Sequence, residues 1–155
     1  MAGDDDVRLL VVFHSRGGAT RALCDAAIAG ARDADAEPRV RDAFVAGPDD
    51  VRWAQAVLLA TPARFGYMSG ALKDFFERIW HPCLDVTVGL PYALVIKGDT
   101  DVDGGVSSIE RITTGLKWRR VLPPLTVVGA VDDAHRDAAR ELGATLAAGV
   151  AEGVF

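Results

Sequence analysis

Cysteine, basic charge and long apolar runs are what this sequence has least of. Its two cysteines, Cys24 and Cys83, fit neither a disulfide framework nor a thiolate metal cluster. Cys24 sits in a helical apolar pattern and reads as a small buried hydrophobe. Lys and Arg number 17 against 22 Asp and Glu, and the net charge of -5 argues against electrostatic binding to nucleic acid or anionic lipid. No apolar run approaches the roughly 20 residues that span a bilayer. The opening residues, Met1 to Asp6, are acidic rather than signal-like, so the expectation is a soluble, cytoplasmic protein. No linker, repeat or low-complexity tract divides the chain, and residues 1–155 read as one domain, half of it apolar and large enough for a substantial core.

Short β-rich runs alternate with longer segments of helical period. Strands are expected at residues 7–13, 38–44, 56–60, 91–97 and 125–131, and the second, being more polar, suits a sheet edge. Helices are expected at 20–31, at 69–80 with Ser69 as cap, at 105–120, and at 133–151 with Asp132 or Asp133 as cap. Residues 47–50 read as a turn, and Pro82 is expected to force the chain out of the third element's helix. Phe75, Phe76, Ile79 and Trp80 crowd that helix and suit a core or a subunit contact. Five strands separated by helices imply right-handed crossovers and a parallel sheet covered on both faces. In such a sheet, ligands bind beyond the carboxyl ends of the strands where strand order reverses. That selects three loops.

The first loop is the most informative. An apolar strand runs into His14-Ser15-Arg16-Gly17-Gly18-Ala19-Thr20, where a helix begins. Amides at a helix start lack intrahelical partners, and the dipole adds positive potential, so a phosphate can be bound there without a lysine. His14 itself reads as a structural, hydrogen-bonded histidine. The second loop, Thr61 to Met68, joins a proline, a glycine and two aromatics, which suits a flat ring system better than a second phosphate. Arg64 within it reads either as a ligand contact or as a surface ion-pair partner. The third, Gly98 to Gly105, is glycine-rich and acidic.

Other phosphate-binding classes fail on residues. No lysine follows the first loop as a P-loop demands, and Gly17 and Gly18 are adjacent rather than spaced as G-x-G-x-x-G. The loop also lacks the cysteine of a low-molecular-weight tyrosine phosphatase, and Thr61 stands where a receiver domain would need aspartate.

Ser15-Arg16-Gly17-Gly18-Ala19-Thr20 resembles the phosphate loop of flavodoxin-like FMN proteins, with Gly17 where threonine is usual. Pro62-Ala63-Arg64-Phe65-Gly66-Tyr67-Met68-Ser69-Gly70 resembles a segment of the tryptophan-repressor-binding-protein-like NAD(P)H:quinone oxidoreductases, with Ala63 for threonine and Tyr67 for asparagine. The resemblance implies a three-layer α/β sandwich, flavodoxin-like, with a five-stranded parallel sheet in the order 2-1-3-4-5. It implies that Ser15, Arg16, Gly17, Gly18, Ala19 and Thr20 hold the FMN phosphate. Pro62, Ala63, Arg64, Phe65, Gly66 and Tyr67 would line the ring and ribityl chain, and Gly98, Asp99 and Gly104 would flank them. The flavin carries the chemistry, so no catalytic side chain or metal is expected. Two roles follow from it: an oxidoreductase taking electrons from NADH or NADPH to a quinone or similar small acceptor, and an electron carrier between proteins. The modest charge of -5 and the lack of an aromatic between Gly98 and Gly105 favour the oxidoreductase. Related reductases often complete the pocket from a neighbouring subunit, which implies a homodimer or homotetramer.

Overall fold

The computed structural model describes residues 5–155, and the acidic start at 1–4 lies outside them. Strand β1 (Leu9–Phe13) leads into helix α1 (Ala19–Asp33), followed by β2 (Arg39–Asp42), α2 (Pro48–Trp53) and β3 (Ala56–Arg64). Then come β4 (Tyr67–Met68), α3 (Gly70–Cys83), β5 (Pro91–Gly98), α4 (Val102–Gly115), β6 (Arg119–Arg120), β7 (Leu125–Val128) and α5 (Asp133–Ala151).

The sheet runs β2-β1-β3-β5-β6, all parallel, with β7 also paired to β5. Because β6 and β7 occupy the same side of β5 in succession, they form one interrupted fifth position. The expected order 2-1-3-4-5 is therefore the observed one. Fully apolar β1 and the apolar first half of β3 (56–60) lie at the centre, while β2, with its arginines and aspartate, takes the edge.

Alternation along the strands divides the core between the two faces. Leu10, Val12, Val57, Leu59, Tyr92 and Leu94 pack under α2, α3 and α4 with Phe75, Phe76 and Ile79. Leu9, Val11, Leu58, Ala60, Ala93 and Val95 pack under α1 and α5. Phe75, Phe76 and Ile79 are thus core residues rather than subunit contacts, and Trp80 is half-buried against them.

Several boundaries differ from the sequence expectation, each for a local reason. Residues 48–53 are helical rather than a turn: Pro48 opens the helix and the Asp50 carboxylate accepts from the Gly47 amide at 3.0 Å. Pro82 sits inside the last turn of α3, where its missing N–H removes one intrahelical bond, and the helix ends one residue later with the Leu84 amide donating to the Trp80 carbonyl at 2.9 Å. Helix α4 begins at Val102, three residues early, because Asp101 caps it by accepting from the Gly104 amide at 2.9 Å. It stops at Gly115, and Arg119–Arg120 pairs with β5 instead of continuing the helix. Both remaining caps lie where the sequence puts them, with Ser69 accepting from Leu72 and Asp132 from His135.

The largest departure concerns the second loop. Strand β3 runs on through Pro62 to Arg64, then turns back in a tight hairpin to β4. Phe65 and Gly66 form the turn with φ of 54° and 68°, both left-handed, as a two-residue hairpin turn requires. Glycine takes that conformation freely, whereas Phe65 bears a steric cost.

Candidate functional site

Three segments converge at the carboxyl edge of the sheet. In the first, Ser15 Oγ accepts from the amides of Gly18 and Arg21 at 3.2 and 3.3 Å, shaping the loop as a concave turn. Gly18 caps α1 with φ of 88°, and neither Gly17 nor Gly18 has any atom within 4 Å of where a Cβ would stand. The amides of Ala19 and Thr20 have no intrahelical acceptor at this end of the helix.

A buried polar chain fixes the second segment. Thr61 Oγ1 lies 2.9 Å from Ser69 Oγ and accepts from the Ser69 amide at 3.3 Å. The Met68 amide donates to Ser108 Oγ at 3.0 Å, and Ser108 donates to the Gly105 carbonyl at 2.7 Å. These bonds lock the hairpin to the start of α4. A Cβ on Gly104 would collide with the Gly66 carbonyl, and one on Gly98 would meet Ala63 Cβ at 3.0 Å, so these glycines permit close backbone packing.

In the third segment Lys97 Nζ donates to Asp99 Oδ1 at 2.9 Å. That hydrogen bond, with the lysine charge behind it, holds the exposed Asp99 carboxyl below its ordinary pKa. The one carboxylate lining this pocket is thus neutralised by its neighbour.

Two pockets result. The smaller, about 260 Å³, is lined by Ser15, Arg16, Gly17, Ala19, Thr20, Pro62, Arg64, Lys97, Gly98 and Asp99. Nine sequence-selected residues therefore meet at one place, and Lys97, at the end of an apolar strand in the same topological position as Pro62, joins them. The larger, about 540 Å³, is lined by His14, Arg16, Phe44, Arg64, Phe65, Tyr67, Met68, Ser69, Gly70 and Ala71. Arg16 and Arg64 line both, and Phe65 and Tyr67 line only the larger. Gly18, Ala63, Gly66 and Gly104 line neither pocket.

Two side chains depart from the readings available in sequence. The His14 backbone amide donates to the Ala60 carbonyl at 3.0 Å, yet among the described residues buried Nδ1 has no hydrogen-bond partner, with Asp42 Oδ2 3.8 Å away. Its ring meets Phe44 edge-on at 5.6 Å between centroids, so an apolar neighbour takes the place of an acceptor. Among the described residues Arg64 has no carboxylate within ion-pair distance, although its charge adds to that of Lys97 in lowering the Asp99 carboxyl. Phe44 had no signal beyond its place at the end of an edge strand.

A helix-opening phosphate-type loop beside the first strand, a hairpin beside the third and a short loop beside the fourth, on a parallel 2-1-3-4-5 sheet, define a flavodoxin-like α/β protein. Solved structures agree on that fold. A flavodoxin from the domain Archaea superposes with a TM-score of 0.83 over 93% of this chain and 99% of its own, at 16% identity. A WrbA-like flavodoxin from Agrobacterium tumefaciens gives 0.79 over 96% and 99%, at 19% identity. Among curated proteins, an NAD(P)H dehydrogenase (quinone) of Archaeoglobus fulgidus is 31% identical over 47% of this chain, and a flavodoxin of Aquifex aeolicus is 29% identical over 46%. The chain spans only about half the length of these relatives, 53% of the first and 40% of the second. No family model matches the chain. The resemblance drawn from the two loop motifs is supported by these relatives. Among the described residues no helix is long and apolar enough to cross a membrane.

Proposed function

We propose that this chain is an FMN-dependent oxidoreductase that moves electrons from NADH or NADPH to a quinone or similar small acceptor. The observation that carries the reading is the smaller pocket, in which free amides at the start of α1 meet Arg16, Arg64 and Lys97 opposite a single, already paired carboxylate. That donor set fits a phosphate monoester. Gly17, Ala19 and Thr20 would hold the phosphate, and Pro62, Arg64, Gly98 and Asp99 would contact the rest of the group. When bound, the flavin supplies hydride acceptance from the nicotinamide and delivery of electrons to the acceptor. Overall, NAD(P)H, one proton and a quinone give NAD(P)⁺ and a hydroquinone.

The protein's own part is to bind, orient and preorganise. The Thr61–Ser69 and Met68–Ser108 hydrogen bonds hold the hairpin against β3 and α4, so its backbone is fixed before any ligand arrives. A cavity of about 540 Å³ beside the smaller pocket gives a second small molecule room within this one chain. That room favours small-molecule turnover over electron carriage between proteins. The flavodoxin of Aquifex aeolicus keeps the carrier as the second reading.

The test is an absorption spectrum of the protein mixed with FMN and desalted, followed by anaerobic NADH or NADPH. Retained yellow colour that bleaches on addition of the nicotinamide is the expected result. Retained colour that persists would shift the function to the carrier, and loss of all colour on desalting would overturn flavin binding.

A further inference from the structure

The larger cavity has a charge pattern that the overall composition conceals. In a chain of net charge -5, its wall contains two guanidiniums and no carboxylate. Among the described residues neither Arg16 nor Arg64 has an acidic partner at ion-pair distance, whereas Arg21, Arg32, Arg78 and Arg140 are each paired with one. Asp99, which lines the smaller pocket with both arginines, is held by Lys97 at 2.9 Å, and Asp42, 3.8 Å from His14 Nδ1, accepts from the Phe44 amide at 2.8 Å. The rest of the wall is mainly apolar and includes the rings of Phe44, Phe65 and Tyr67. The start of α3 also faces the cavity. Its N-cap side chain is committed to Leu72, which leaves the Gly70 and Ala71 amides without an intrahelical acceptor. Inside the wall, buried His14 Nδ1 lacks a hydrogen-bond partner among the described residues.

We infer that this cavity binds a small planar aromatic carrying an anionic substituent, its ring between Phe44 and the hairpin and its anion toward Arg16 and Arg64. The volume of about 540 Å³ lies in the range of small-molecule sites. Aromatic walls take the ring, and unpaired guanidiniums take a carboxylate or sulfonate in paired hydrogen bonds. The inference rests on the oxidoreductase reading in one respect: such a molecule would be the electron acceptor, which makes anionic quinones the preferred class. The cavity and its two arginines are present in the chain without the flavin.

Anthraquinone-2-sulfonate and uncharged 2-(hydroxymethyl)anthraquinone make a matched pair of probes, titrated by calorimetry into the chain without nicotinamide, once with FMN added and once without. The sulfonate is expected to bind roughly tenfold tighter or better. Phe44 lines only the larger cavity and is 59% exposed, so its replacement leaves the core and the phosphate pocket intact. Phe44→Asp is expected to weaken the sulfonate by roughly a further tenfold relative to Phe44→Asn, which removes the ring without adding charge. Equal affinity for the two probes, or equal effects of Asp and Asn, would overturn the inference. FMN retention measured on the same samples separates the two readings. Sulfonate binding of this pattern in a chain that retains no FMN keeps the cavity and removes the oxidoreductase, whereas a chain that retains FMN but shows no anion preference in the FMN-free titration removes the cavity proposal alone.

Discussion

Replacing Gly143 with alanine should loosen the whole molecule, because α1 and α5 cross at bare backbone. A Cβ on Gly143 would stand 3.0 Å from Ala27 Cα and well inside contact with the Ala27 carbonyl, and on the facing helix a Cβ on Gly30 would collide with the Arg140 carbonyl. No rotamer can relieve a clash between a Cβ and backbone, so the helices must separate. Overpacking of this kind costs about 1–3 kcal/mol, and backbone-on-backbone contact belongs at the upper end. Alanine returns up to about 1 kcal/mol through helix propensity. The net is a loss of about 2 kcal/mol, equivalent to a fall in Tm of roughly 4–8 °C for a chain of this size. Because α1 begins at the candidate phosphate loop, FMN retention should weaken in the same variant. Urea unfolding checks the magnitude, as a lower midpoint at unchanged slope. Gly17→Ala is the matched control: nothing lies within 4 Å of its added Cβ, so it should stay within about 0.5 kcal/mol of the parent. If Gly143→Ala unfolds at the same urea concentration as the parent, the close crossing is wrong.

Three further perturbations probe the site and its surroundings. Thr20→Val keeps the packing of a side chain that is only 3% exposed and removes its hydroxyl, so FMN affinity measured by fluorescence titration should drop about tenfold, and unchanged affinity would remove Thr20 from the phosphate contacts. Phe65 is fully exposed yet holds φ of 54°, so Phe65→Asn should leave Tm unchanged or raised by a few degrees, equivalent to about 1 kcal/mol, and a clear fall would mean that the ring contributes to packing. Burial, with Asp25 adding to it and Arg21 opposing, pushes the Cys24 thiol up to about 12. It should therefore resist a thiol reagent at pH 8 until the chain is unfolded. Since its pKa is higher folded than unfolded, the associated stability is full below about pH 9 and lost as pH rises toward about 12, which alkaline urea titrations of Cys24→Ala against the parent would show.

Elements whose signal is periodic and apolar could be read directly. The central strands at 9–13 and 56–60 and the closing helix behind Asp132 needed no tertiary information, whereas the strand order came from the resemblance of the two loop motifs. What the sequence concealed depends on partners far along the chain. The extension of β3 through Pro62 requires pairing with Lys97 on β5, and Pro62 lacks a donor that would argue for it. The start of α4 depends on Asp101, one of several aspartates in its loop able to cap, and the choice follows from where Gly104 must meet Gly66. The candidate site was legible as a set of loops but not as two pockets. Phe65 and Tyr67 looked equivalent to Pro62 and Arg64 as neighbours in one motif, and the tight turn directs them to another cavity.

Arg16 and Arg64 carry the consequence of that division. Each lines both the smaller pocket and the aromatic one, and among the described residues neither forms an ion pair, Asp99 being held by Lys97. Desolvating a guanidinium without an anion is unfavourable, so both side chains remain partly in water in the free chain and gain most when an anion arrives. The excess of negative charge over the rest of the surface repels anions from other approaches, which concentrates their arrival at this edge at low ionic strength. Two anions bound at once would share the same two guanidiniums, so filling the phosphate pocket should lower the affinity of the aromatic cavity for an anion more than for its neutral analogue. The titrations with and without FMN measure that coupling directly, and by linkage the aromatic anion must weaken FMN by the same factor. Unequal factors in the two directions would mean that the two ligands do not share those arginines at equilibrium.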